Sequence, residues 1–346
     1  MIDRRRFLQT TGLAFGGMLF SHSPKAAESA SLEGLASLAP GAPPGVDPAD
    51  PLFRLGFLDV TKAPYLADPT GAADATEAIQ RAVNDAREFQ YVCFFPSGIY
   101  TISDTISCEM KVYKLAQPRS AEGKRQHYWG DRNRPCILMG SKKGPRPTIR
   151  LATGAPGFGD PGKPKPAIYI WAQTRNNAEG KDEPIWGKEQ PNISFNQIFR
   201  GIDIDVRGHA GAIGIKHTGS QGSTLEDSTI QAEGAFAGMF NCPGQGGGTY
   251  GVKVEGGRYG LYAIPECRFP MLAACEFTRQ TSAAVAYSSV GLPLLLAGCL
   301  IRDTRGPALD LSQAKPSAGA CLVDCIVSMA GGGDAIATPG PWSLLL

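Results

Sequence analysis

Short runs of alternating apolar and polar residues recur along the second half of this chain. Phe199-Arg200-Gly201-Ile202, Leu225-Glu226-Asp227-Ser228, Gly251-Val252, Leu272-Ala273-Ala274-Cys275, Leu296-Ala297-Gly298-Cys299 and Leu322-Val323-Asp324-Cys325 align. Ile202, Ser228, Val252, Cys275, Cys299 and Cys325 then share one column, with successive separations of 26, 24, 23, 24 and 26 residues. A second column runs through Ile213-Gly214-Ile215, Met239-Phe240, Leu261-Tyr262, Val285-Ala286-Tyr287, Leu309-Asp310-Leu311 and Ile336. Short strands at this period predict a parallel β-helix, one coil per repeat. Ankyrin or leucine-rich repeats would need a helix or a fixed Leu/Asn signature in each unit, and neither is visible. Strand alternation puts Ile202, Ser228, Cys275, Cys299 and Cys325 inside and Asp203, Thr229, Lys253 and Glu276 outside.

Upstream the period changes. Asp74-Ala75-Thr76-Glu77 is a capping-box pattern, and Ala78, Ile79, Ala82, Val83 and Ala86 recur at helical spacing, so a helix is expected over 74–89. One good helix is too few for a doubly wound fold. Val92 to Tyr100 reads as strand, turn and strand, with the turn at Pro96-Ser97-Gly98. Residues 109–191 are irregular, with runs such as Ala167-Ile168-Tyr169-Ile170-Trp171 between long excursions. Loops of that length inside an ordered domain are often functional.

The first thirty residues read as a leader. Asp3-Arg4-Arg5-Arg6-Phe7-Leu8 precedes an uncharged apolar run, Gly12 to Phe20, and then Ala26-Ala27-Glu28-Ser29-Ala30, which is a twin-arginine export signal. The apolar run is shorter than the ~20 residues a spanning helix needs, so no stable membrane insertion is expected. The expected location is the periplasm or the exterior. Residues 31–56, rich in Pro, Gly, Ala and Ser, read as a linker, leaving 57–346 as the β-helix domain. The last residues, Pro339 to Leu346, offer no polar cap. An open end of that kind predicts a second β-helix module, an oligomer partner or a truncated chain.

Lys and Arg number 34 against 32 Asp and Glu, and 30 of each remain once the leader is removed. A neutral mature chain argues against nucleic acid as partner. Residues 111–150 are nonetheless basic, with Lys111, Arg132, Arg134, Arg146 and Arg150 among eleven cations. The nine cysteines form no CxxC spacing, and most of them read as buried thiols.

Asp68-Pro69-Thr70-Gly71, Asp74-Ala75-Thr76-Glu77-Ala78-Ile79 and Phe95-Pro96-Ser97-Gly98-Ile99-Tyr100 resemble the opening pattern of the pectate-lyase-like superfamily. Arg200 to Asp205, Ser220 to Leu225, Gly244 to Gly248 and Gly256 to Gly260 are similar to the first β-helix of family 55 glycoside hydrolases, which are exo-β-1,3-glucanases. The resemblance implies an all-β fold, a single-stranded right-handed parallel β-helix with an N-terminal capping α-helix and long loop insertions. It also implies a polysaccharide substrate. That glucanase family uses two tandem helices, so its general acid has no counterpart here.

Outward carboxylates from neighbouring coils are the natural acid and base candidates. Asp203, Asp205 and Glu255 are chosen, with Glu255 two coils beyond Asp205 at ~9–10 Å, near the upper end for an inverting pair. Arg207, His217 and Lys253 are expected to contact substrate, as are Trp129, Trp171 and Trp186, whose faces can stack on sugar rings. Lys253 would serve instead as the base of a polysaccharide lyase, a reaction in which acidic residues often hold Ca²⁺ against the substrate. Otherwise no metal or cofactor is expected. A non-catalytic polysaccharide-binding β-helix is the third reading.

Overall fold

The computed structural model describes residues 41–114, 132–176, 183–184, 189–263, 270–288, 293–313, 319–331, 333–338 and 344–345. The strands among these residues fall into three sheets of ten, nine and ten strands. Sheet A runs from Phe57–Asp59 to Leu344–Leu345, sheet B from Thr70–Asp74 to Ile326–Met329, and sheet C from Ile106–Lys114 to Ile336–Ala337. Each strand pairs in parallel with those one coil before and after, as Leu225 does with Phe199 and Thr249. The fold is therefore the all-β parallel β-helix that the repeat predicts. Short antiparallel strands, Arg132–Arg134 and Glu183–Pro184, add to sheet C.

Coils are counted from Phe57–Asp59, so coil four begins at Ile198. Inward residues stack into columns: Ile149, Ile204, Ile230, Val254, Phe277 and Ile301 on sheet B, and Ile168, Ile215, Met239, Leu261, Val285 and Leu309 on sheet C. Each such side chain contributes roughly 1.5–3 kcal/mol by leaving water. The columns make one continuous core.

The column first seen in the sequence is the corner between sheets A and B. In coils four to nine the corner opens with a left-handed residue: Gly201, Asp227, Gly251, Ala274, Gly298 and Asp324, at φ 67, 50, 62, 53, 60 and 55°. An inward residue follows each. Cys275 and Cys299 are buried there, their thiols donating to the carbonyls of Thr249 at 3.6 Å and Leu272 at 3.5 Å. Cys93, Cys108, Cys136, Cys275, Cys299, Cys321 and Cys325 are free thiols. Ala274 is the one corner residue with a Cβ and no polar side chain to offset the left-handed strain. Ala274→Gly should therefore raise stability by about 0.5–1 kcal/mol, read as a higher urea midpoint. A lower midpoint would mean that the methyl packs more than it strains.

At the N-terminal end, helix α1 (Pro51–Arg54) is capped by Asp50, whose carboxylate accepts from Leu52 N at 2.7 Å. Val46 and Phe53 pack against the core, so part of the stretch expected as linker helps cover the first coil. Helix α2 (Thr76–Phe89) takes the place of a sheet C strand in that coil and buries Ile79, Ala82, Val83 and Ala86. It starts two residues later than expected because Asp74 belongs to a strand paired with Thr101. Its carboxylate still accepts from Thr76 N at 2.9 Å. At the far end Ile326 is 65% exposed and Val323 49%, and Leu344–Leu345 adds one further strand to sheet A alone.

Candidate functional site

Asp203 and Asp205 lie on the coil-four strand of sheet B and face outward on either side of buried Ile204. The register runs from Asp205 through Gln231 to Glu255, which sets Glu255 two coils away. Each of these carboxylates already has cations. Arg207 grips Asp205 with two prongs, Nε at 2.9 Å and Nη2 at 2.7 Å, and Arg150 approaches at 3.4 Å. Asp203 accepts from Thr229 N at 2.7 Å and faces Arg146 Nε at 3.3 Å. Arg279 bridges Glu233 at 2.8 Å and Glu255 at 3.3 Å. Lys253 pairs with Glu276 at 3.4 Å, and Arg302 binds the same carboxylate.

The cations lie outermost: the Arg207 side chain is 51% exposed and that of Asp205 only 10%. Arg207 thus closes its fork on its own neighbour Asp205. Arg146 and Arg150, from the basic stretch, serve the same ladder. The two aspartates are pushed in opposite directions. Burial raises Asp203, outweighing the Thr229 amide and Arg146. Burial also acts on Asp205, but the hydrogen bonds from Arg207 outweigh it and hold that carboxyl below its usual range.

His217 is a correction. It was expected at the surface, but it points into the core with no exposed area, because Lys216 before it takes the outward position. Burial holds its pKa down at about 3. His209 stays near the surface, with both ring nitrogens 2.9 Å from carbonyls, those of Arg207 and Ala152. Trp129 and Trp186 lie outside the described residues.

Trp171 belongs to a different face, and it leads to a cluster that the sequence reading missed. On sheet C the register aligns Tyr169, Lys216, Phe240 and Tyr262 on the outside of coils three to six. Trp171 stacks on Tyr169 with centroids 5.5 Å apart and planes 9° from parallel, its indole N–H donating to Ser107 Oγ at 2.9 Å. Lys216 Nζ lies over Tyr169 at 4.8 Å and Phe240 at 5.5 Å, tied to Glu189 at 2.8 Å. Phe240 meets Tyr262 at 5.5 Å, Tyr262 meets Tyr259 at 4.8 Å, and Phe236 packs behind both tyrosines.

Local backbone makes this possible. Gly238 and Gly260 draw their strands close against sheet B, where a Cβ would fall 2.2 Å from Val254 and 2.4 Å from Phe277. That inward step lets the residues on both sides of each glycine, Ala237 and Phe240 or Tyr259 and Tyr262, join the outer cluster. Beyond Tyr262 the outer column shrinks to Ala286 and then reaches Asp310. The gap is a cavity of about 500 Å³ lined by Tyr259, Tyr262, Ala286, Tyr287, Asp310, Ser312 and Gln313. Asp310 Oδ1 accepts from Ser312 N at 3.0 Å and Oγ at 2.6 Å. Burial, aided by Tyr259 and Asp310, raises the Tyr262 phenol, which therefore stays neutral.

A sequence signal for this face existed. In the second repeat column the residue after the inward position is Lys216, Phe240 and Tyr262 in three successive coils. Among the described residues no group of three His, Cys, Asp or Glu side chains is placed to hold a metal ion. No helix among them is long and apolar enough to cross a membrane.

Residues 62–138 match the family model described as rhamnogalacturonase A/epimerase, pectate lyase-like. The match spans helix α2 and the second coil. No curated protein matches the chain. Among solved structures, the chain is similar to the catalytic unit of a thermostable GH87 α-1,3-glucanase from Streptomyces thermodiastaticus: 13% identity, TM-score 0.43, covering 84% of this chain and 48% of that one. It thus spans about half the length of that unit. It is also similar to PfbA, a surface adhesin of Streptococcus pneumoniae, at 13% identity and TM-score 0.37, covering 81% and 78% of the two chains. An iota-carrageenase complexed to iota-carrageenan fragments gives 11% identity and TM-score 0.37, with 73% and 56% covered.

Proposed function

We propose that this chain, whose first coils match the rhamnogalacturonase A/epimerase, pectate lyase-like family, is a carbohydrate-active β-helix that seats a polysaccharide along the outer face of sheet C. The observation that carries this reading is the aromatic strip from Trp171 through Phe240 to Tyr262, ending at a cavity with a carboxylate on its far wall. A sugar ring has apolar C–H faces and a rim of hydroxyls. Aromatic faces stack on the first, while Asp310 and the tyrosine phenols hydrogen-bond the second. The strip crosses successive coils, so a bound polymer would lie along the β-helix. The twin-arginine leader suits a substrate outside the cytoplasm.

A second reading, hydrolysis on sheet B, is favoured by the opposing pushes on Asp203 and Asp205. One is biased to hold a proton and the other to stay ionised, which is how acid and base roles divide. Residues two apart on a strand lie ~6–7 Å apart, near the short end for an inverting pair. Glu255, in the Asp205 column, is the alternative base, and Lys253 is the base if the reaction is elimination.

Both readings are tested on the purified chain in native gels containing either a neutral β-glucan or a polyuronate, followed by product analysis. Retardation in a polysaccharide gel is expected, with new reducing ends and no ultraviolet absorbance from unsaturated uronates. No retardation in any gel sinks the sheet C reading. Unsaturated product would replace hydrolysis by elimination, and retardation without either product would leave binding alone.

A further inference from the structure

Where sheet C turns back into sheet A in coils four to six, the interior is polar rather than apolar. We infer that this corner is a binding site for ordered internal water, built by His217, Gln197 and Asn241. His217 Nδ1 accepts the N–H of Gly219 at 3.1 Å. The neutral ring therefore carries its proton on Nε2. The backbone carbonyls of Thr224 and Gln197 lie near the ring, but Nε2 closes no hydrogen bond of good geometry among the described residues. Gln197 spends its amide group on Trp171 O at 3.1 Å and Ser194 Oγ at 2.6 Å, which leaves Oε1 as a buried acceptor without a donor.

One coil further, Asn241 leaves both Oδ1 and Nδ2 unpaired. It follows Phe240, which is in register with Lys216, so it stands over His217. Gln197 and His217 have no exposed area and Asn241 1%. A donor, an acceptor and an amide that is both are thus left without partners at one corner, and each is costly to keep dry.

Water is the ligand that fits this mixture, because it accepts from Nε2–H and donates to Oε1 with capacity left for the Asn241 amide. The His217 Nε2–H is a donor that a cation would oppose, and the uncharged amides offer an anion no counter-charge, so a neutral molecule fits better than an ion. Gly219 packs directly against the His217 ring, and Ala263 follows Tyr262 on the next coil. His217 and Asn241 directly follow Lys216 and Phe240 of the aromatic strip. The same water therefore ties down the strand ends that present the strip.

The test is a high-resolution crystal structure of the full chain. Density within hydrogen-bond distance of both His217 Nε2 and Gln197 Oε1 is expected. A dry corner, with the three side chains turned into direct pairs, would overturn the proposal. Water magnetic relaxation dispersion gives an independent count of long-lived waters in solution. Gln197→Met and Asn241→Leu should each remove at least one, and an unchanged count in both would also overturn it. Neither readout depends on polysaccharide binding, so failure here is distinct from failure of the sheet C reading.

Discussion

Replacing Phe240 and Tyr262 together with alanine should weaken polysaccharide binding by about 2–3 kcal/mol, roughly 30- to 150-fold in Kd, measured by affinity electrophoresis or calorimetry. Both rings sit on the outer side of sheet C, so their loss removes stacking surface without opening the core column of Met239 and Leu261. Some stability goes with them, because Phe240 and Tyr262 also pack on each other and on Phe236. Tyr262→Phe is the control: it keeps the stacking face and loses only the phenol hydrogen bond. Asp203→Asn, on sheet B, should leave binding unchanged. If the double variant binds as tightly as the parent, the polymer lies elsewhere.

Acid should destabilise the fold through a single histidine before the carboxylates titrate. His217 is held at about 3 by burial, against an ordinary value of 6.5. Its folded-state pKa is depressed, so the unfolded chain binds a proton that the folded chain refuses. Stability from this group is complete above about pH 6.5 and drains as pH falls toward 3. Between about pH 7 and 5 the loss should reach about 2 kcal/mol, visible as a falling urea midpoint. Asp205 and Glu276, whose carboxyls are held below their usual range, contribute only at lower pH. His217→Gln should flatten the profile in that window. Parallel profiles for parent and variant would show that the ring is not the titrating group.

The coils were legible because a β-helix writes its geometry into the chain directly: one column of inward residues, one period, one corner. The Asp203, Lys253 and Glu255 columns followed from alternation alone. What alternation does not carry is how an outward charge is used. Arg207 closing on Asp205, or Arg279 bridging Glu233 and Glu255, depends on side-chain reach across turns whose lengths differ from coil to coil. The aromatic strip was hidden for a related reason. Gly238 and Gly260 break strict alternation by stepping the strand inward, so the faces of Tyr259 and Tyr262 are read correctly only once that step is known. His217 failed at a strand end, where the sequence does not say whether a residue continues the strand's alternation or enters the turn.

The parallel register described for the three sheets also bears on how the chain reaches its native state. In the backbone ladder every described strand in coils four to nine pairs with adjacent coils, so no pairing in that ladder waits for a distant part of the chain. Such an array behaves as a one-dimensional lattice of nearest-neighbour couplings. Helix α2 and the buried residues around it give one end a natural nucleus, and each added coil closes a loop of about one repeat, whose entropic cost grows only slowly with length. Nearest-neighbour coupling of this kind lets folding propagate from the capped end, with each completed coil a template for the next.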